Sequence, residues 1–284
     1  MDVDLAPVRI MTAGARRRRR PPAAVLAGAL ILAMLVGLAL WVTLFGRYGV
    51  NQPSDAVLSG PSAAHWLGTD NIGRDLLTRT LLAGRTSLLV ATGATLLAAL
   101  LGVPIGLVAG YRGGVVDTAL MGFVDTALSV PPVLLALTLV AIFAPGVWTL
   151  MLGVGLIFTP YFARLVRGPA LSVREQDFVA AARIAGVGGA TILRRHVLPN
   201  VAAPVVVQLA NTAATCILIE ASLSYLGLGV QPPQPSWGRM VLEGQRYMLD
   251  SPLLVIVPCV ALVLASIALG LLADGLQKQL NPRR

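Results

Sequence analysis

An all-α membrane protein is the fold class this sequence predicts, on three observations. Hydrophobic residues make up 56% of the 284 positions and charged residues only 12%, too apolar and too charge-poor for an ordinary soluble domain. The apolar residues gather into continuous runs near the roughly 20 residues a helix needs to cross a bilayer. The runs do not alternate apolar with polar positions, so they read as helices and not as strands of a membrane barrel.

Six runs qualify: Ala23 to Gly46, Thr86 to Gly110, Thr118 to Ala144, Gly146 to Ala163, Val201 to Ile219, and Pro252 to Leu272. The first follows Arg16 to Arg20 and resembles a secretory signal, but its apolar part exceeds the about 7 to 15 residues of a signal core. It reads as an uncleaved anchor. The chain then divides into a basic tail over 1–22, a first transmembrane helix over 23–46, an outer segment over 47–85, and a core over 86–284 holding the other five spans. Within the core lie a polar loop over 164–200 and a second loop over 220–251.

Cation placement predicts the orientation. With the N-terminus inside, the inner segments hold Arg9, Arg16 to Arg20, Arg112, Arg164, Arg167, Arg174, Arg183, Arg194, Arg195, Lys278, Arg283 and Arg284. The outer segments hold only Arg47, Arg74, Arg79, Arg85, Arg239 and Arg246, and the two sets account for all 22 basic residues. Both termini are therefore expected in the cytoplasm. The net charge of +9 follows from this arrangement, and nucleic acid is not an expected partner because the cations are not interleaved with aromatics on one surface. The N-terminal arginines suit anionic membrane lipid.

Catalytic and metal chemistry is scarce. The two histidines, His65 and His196, form no HExxH pattern, and the single lysine, Lys278, is followed by Gln279 and not by the Ser or Thr of a P-loop. Cys216 and Cys259 both fall inside spans without a neighbour of their kind and read as small apolar side chains. No metal site, cofactor or catalytic set is expected on this chain, and an intramembrane enzyme lacks a nucleophile and base.

Two carboxylates stand near span ends. Asp125 reads either as an interfacial carboxylate partnered by Arg112 or another helix, or as a residue lining a polar pathway. Glu220, at the outer end of the fifth span, carries the same alternatives, with the stronger pull towards a structural role in the outer loop. Pro104, Pro131, Pro132, Pro160, Pro204 and Pro258 fall within the spans, which suits kinked, tightly packed helices.

The loop VREQDFVAAARIAGVGGATILRRHVLPN, Val173 to Asn200, is more specific. Glu175 to Ile184 has helix-favouring chemistry, Gly186, Gly188 and Gly189 interrupt it, and a second helical stretch over Ala190 to Val197 runs into Leu198 and Pro199. Helix, break and helix held between two spans form either a knob for a cytoplasmic partner or an amphipathic segment on the membrane surface.

This segment resembles the cytoplasmic-loop motif of bacterial ABC-importer permeases: EAA, a glycine after three intervening residues, and later an apolar residue followed by LP. The pattern falls on Ala180, Ala181, Ala182, Gly186, Ile192, Leu198 and Pro199, with Ala180 in place of the motif's glutamate. HWLGTDNIGRDLLTR at His65 to Arg79, AGYRGGVVDTALMGFVD at Ala109 to Asp125, EASLSYLGLGVQPPQPSWG at Glu220 to Gly238 and the closing ADGLQKQLNP are similar to segments of the C-type permease of dipeptide, oligopeptide and nickel importers. Gly122, Ala273 and Asn281 depart from that pattern.

The resemblance implies a six-span MetI-like bundle with a cytoplasmic coupling helix, working by alternating access in the bacterial inner membrane. It implies as partners a B-type permease subunit, two cytoplasmic ATPase subunits that carry the ATP and Mg, and an extracytoplasmic solute-binding protein. Phe178, Val179, Ala180, Ala181, Ala182 and Gly186 would form the docking surface, and His196, Leu198, Pro199 and Asn200 would join it to the fifth span. The segment Glu220 to Trp237 would face the binding protein or line the outer mouth; turn formation, with interfacial anchoring by Trp237 and Tyr225, is the competing reading of most of its residues and the one favoured over solute contact. Peptides are the expected solute. A secondary, ion-coupled transporter working alone is the alternative function.

Overall fold

The computed structural model describes residues 22–280 and contains no strand among them. The basic tail with Arg16 to Arg20, and Asn281 and Pro282 of the closing motif, lie outside the described residues. The helices in order are α1 (Ala23–Phe45), α2 (Leu76–Arg112), α3 (Gly114–Ser129), α4 (Pro132–Ile142), α5 (Val147–Arg174), α6 (Asp177–Ile184), α7 (Gly189–Ile192), α8 (Leu198–Tyr225), α9 (Trp237–Gly244) and α10 (Leu253–Leu280), with a π-helical turn over Leu193–Val197. Five of the resulting segments are long and apolar enough to cross a membrane, and α3 with α4 makes a sixth if the bent pair is taken as one span.

That sixth span corrects the expectation of one helix over Thr118 to Ala144. It breaks after Ser129 and bends by 87°. Proline disfavours the helical conformation in the residue before it, and here Val130 (ψ 129°) and Pro131 (ψ 131°) both sit in extended backbone. The Pro131-Pro132 pair thus ends one helix and starts the next. The second span also begins earlier than the apolar run suggests, because the Asp75 carboxylate accepts from the Thr78 amide and caps a helix ten residues ahead of Thr86.

The centre of the bundle is α2 against α5. Gly102, Gly106 and Gly110 recur every fourth residue on one face of α2, and a Cβ at Gly106 would meet the Ala163 carbonyl. Close approach of two backbones through small residues is the membrane solution to helix association, where apolar burial alone drives little. Val90, Ala91, Ala94, Ala98, Leu150, Val154 and Phe162 fill the contact. Antiparallel α1 and α10 meet in the same way, with Gly28 against the Ala268 carbonyl and Gly275 against Val25. Helix α1 otherwise exposes leucines: Leu26, Leu30, Leu40 and Leu44 lie on its surface.

The bundle therefore has two ends. One, the loop end, carries α6 and α7 together with the ends of α2, α5 and α10. The other, the cap end, carries the 46–75 segment and α9.

Candidate functional site

The loop end is built from α5 outward. Helix α5 stops at Arg174, Gln176 turns into extended backbone, and α6 begins with Asp177 in its first turn and ends with Arg183 in its last, both favourable to the helix dipole. Termination follows from Gly186, whose φ of +76° admits a residue without a Cβ at little cost. The Val187 amide donates to the Ala182 carbonyl and the Gly186 amide to the Arg183 carbonyl, closing the helix in a Schellman arrangement.

An apolar seat fixes this short helix to the bundle. Val179 is fully buried, with Leu107 of α2, Val166 and Ala170 of α5, and Ile192, Val197 and Val201. Val179, named among the docking residues, thus turns inward and anchors α6, and Ala182 packs partly beside it. The Arg183 guanidinium lies 5.0 Å from the centre of the Tyr111 ring at the end of α2. Phe178 and His196 place their ring centroids 6.1 Å apart, and Asn200 Nδ2 donates to the His196 carbonyl at 2.6 Å. Leu193–Val197, Leu198 and Pro199 follow without a break, so the connection into α8 is helical throughout.

The outer face of α6 is left bare. Ala180, Ala181 and Gly186 are exposed, Phe178 is 45% exposed, and Ile184 is 88% exposed. Ile184 lies outside the docking set that the motif implies. Its signal was a β-branched apolar residue in a polar loop, two positions before the glycine that ends the helix.

Asp125 and Glu220 part company. Asp125 is exposed and pairs with Arg164 of α5, not with Arg112. Beside it Asp117 receives both Nε (2.6 Å) and Nη2 (2.7 Å) of Arg167, so two ion pairs tie α3 to α5 near the loop end. Glu220 is fully buried within α8, close to Ser87 of α2 and Ser236, and its Oε1 accepts from Ser224 Oγ at 2.7 Å. It belongs to the helix interior and not to an outer loop.

The cap end is equally built. Trp237, expected as an interfacial anchor, is instead buried: its indole nitrogen donates to the Thr80 carbonyl at 2.9 Å, and its ring occupies the space left by Gly84. Ser236 caps α9 by accepting from the Arg239 amide. In the segment before α2, Asp70 accepts from Arg74 Nε at 2.6 Å, Glu243 of α9 accepts from Arg79 Nη2 and Arg239 Nε, each at 3.1 Å, and His65 Nδ1 lies 2.9 Å from Asp75. The partnership of residues 70–79 with Glu243 spans more than 160 positions and leaves no local pattern in the sequence.

Comparison with known proteins gives these features a context. The chain is 36% identical over 258 residues to the dipeptide transport system permease protein of Alkalihalophilus pseudofirmus, covering 90% of this chain and 84% of that protein. It is 38% identical over 270 residues to the glutathione transport system permease protein of Pectobacterium atrosepticum, covering 94% and 89%. A putative peptide transport system permease protein of Brucella suis is 40% identical over 224 residues, covering 78% and 75%. In fold, the chain is similar to a structure of the MetNI methionine ABC transporter in inward-facing conformations, with a TM-score of 0.57 at 17% identity over 70% of this chain and 96% of that one. Residues 102–284, from the Gly102 contact of α2 through the loop end and α10, match the family described as binding-protein-dependent transport system inner membrane component. The chain belongs to that family.

Proposed function

We propose that this chain is a transmembrane subunit of an ATP-driven importer for peptides, and that the loop end is where force from ATP hydrolysis enters it. The observation that carries the reading is the construction of α6, a short helix seated by Val179 on α2, α5 and α8 while Phe178, Ala181 and Ile184 face outward. A partner pushing on that outer face would move the bundle as a unit, because the seat is apolar and the link through His196 and Asn200 into α8 is unbroken.

In this scheme the loop end is cytoplasmic, as the cation distribution expects. Two ATPase subunits dock there and hold ATP and Mg. A homologous B-type permease pairs with this chain, and an extracytoplasmic binding protein delivers solute to the cap end. Ala180 is exposed and uncharged, so this chain engages its ATPase without the glutamate salt bridge of the usual motif. Peptides are the solute class because relatives covering most of the chain are named for dipeptide, glutathione and peptide transport. Membership in a binding-protein-dependent family leaves the stand-alone secondary transporter without support.

Reconstitution of the full complex tests the reading. Peptide-loaded binding protein is expected to stimulate ATP hydrolysis and uptake, and Gly186→Trp is expected to abolish the stimulation while the chain still inserts. Uptake that follows an ion gradient and ignores ATP would overturn it.

A further inference from the structure

Helix α8 carries a polar stripe along one exposed face, interrupted by Leu218. Asn200, Gln208, Asn211, Thr215 and Ser222 follow steps of three, four, seven and eight residues, which place them on one side of a helix. Asn200, Asn211, Thr215 and Ser222 are exposed and Gln208 is half-buried, whereas Thr212, Cys216 and Glu220 on the other side are buried. Asn211 stands thirteen residues from one end of this 28-residue helix, or about 20 Å along its axis at 1.5 Å per residue. It stands at the middle of the helix.

This face does not suit hydrocarbon. The hydroxyls of Thr215 and Ser222 are satisfied by donating back to the carbonyls of Asn211 and Leu218, so the need for outside partners lies with the carboxamides. A carboxamide has two donors and two acceptor lone pairs, more than its own helix turn can satisfy, and leaving them unpaired in lipid is costly. The same chain shows what it does with lipid: α1 has one hydroxyl residue, Thr43, and otherwise exposes Leu26, Leu30, Met34 and Leu44. The stripe also opens into a groove of about 440 Å³ lined by Leu165 of α5, Pro204, Gln208 and Asn211 of α8, and Gln277 of α10. Glu220, the only acidic or basic residue on α8, is turned away and buried, so the stripe is polar without being charged.

We propose that this face of α8 is the wall of a water-filled passage, and that Asn211 is the group at mid-membrane that hydrogen-bonds the backbone amides of a passing peptide. The proposal rests on the importer reading above. A carboxamide offers a donor and an acceptor side by side, the complement of a peptide C=O and N–H. A wall without charge holds no side-chain charge on the peptide and repels none, so it passes peptides of differing sequence through contacts to what they share.

Thiol accessibility in the assembled transporter tests this. In a chain with Cys216 and Cys259 replaced by alanine, cysteine is placed at Asn211, Thr215 and, as a lipid-facing control at similar depth, Met34. The probe is a trimethylammonium methanethiosulfonate in native membranes. Asn211→Cys and Thr215→Cys are expected to react more than about tenfold faster than Met34→Cys, and tri-alanine with its binding protein is expected to slow them. Asn211→Leu is expected to raise the KM for tri-alanine uptake about tenfold, with Asn211→Gln close to the parent. Rates at Asn211 and Thr215 equal to that at Met34, or reaction without peptide protection together with an unchanged KM, would overturn the proposal. Peptide-stimulated ATP hydrolysis in the same membranes reads the importer assignment separately, since it persists if the stripe is dry but the chain is still a permease.

Discussion

At the scale of single residues, Trp237 and Gly84 act as one unit. The indole is buried where a Cβ on Gly84 would lie 2.7 Å from it, and its N–H reaches the Thr80 carbonyl. Trp237→Ala is expected to cost about 3–5 kcal/mol by opening a cavity, and Trp237→Phe about 1–2 kcal/mol by losing the hydrogen bond. The midpoint of thermal unfolding in detergent reads both. Trp66→Ala, at a tryptophan 64% exposed, is the control expected to leave the midpoint in place. An interfacial anchor and a buried plug have the same one-letter signature in the sequence. What separates them is Gly84, 153 positions away in the chain, which a linear reading has no reason to connect. Val179 presents the same problem on a smaller scale, because one turn of helix decides whether a valine docks a partner or seats the helix.

At the scale of elements, α2 and α5 are joined by backbone proximity and α3 and α5 by ion pairs. A leucine at Gly106 has no room against the Ala163 carbonyl and Val166, so Gly106→Leu is expected to lower expression in the membrane and the unfolding midpoint together. Asp117→Asn removes one charge of the bidentate pair with Arg167 and is expected to destabilise by at most about 1 kcal/mol, since the arginine is partly exposed. The exchange Asp117→Arg with Arg167→Asp is expected to recover part of that loss in a double-variant cycle, and absence of coupling would contradict the pairing. Most helices were legible because apolar run length and bilayer thickness state the same constraint. The break of the third span was present in Pro131-Pro132, yet run length outweighed it. An apolar stretch hides a bend that conformational chemistry declares. The added turns at the start of α2 were hidden for another reason: their polar residues, Thr78 and Arg79, are buried against the cap and not in lipid.

At the scale of the whole molecule, the bundle sets α6 at one end and the α9 cap at the other, with α8 running between them. The loop was legible because glycine, proline and aliphatic residues each fix a local feature: Gly186 the stop, Leu198 and Pro199 the start of α8. Its outward apolar residue was legible only as an isoleucine in a polar loop, since exposure depends on what α2 and α5 leave uncovered. Under the proposed function, force enters at that residue and at Phe178. The most direct measurement is ATP hydrolysis stimulated by loaded binding protein in a reconstituted complex carrying Ile184→Glu, with chain insertion and unfolding midpoint measured alongside. An exposed isoleucine contributes little to the fold, so the midpoint is expected to stay within about 0.5 kcal/mol of the parent. The stimulation is expected to fall at least about tenfold, as loss of a buried apolar contact at an interface centre does. Stimulation equal to the parent in Ile184→Glu, and again in Phe178→Glu with Ile184→Glu, would contradict the assignment of α6 as the coupling element.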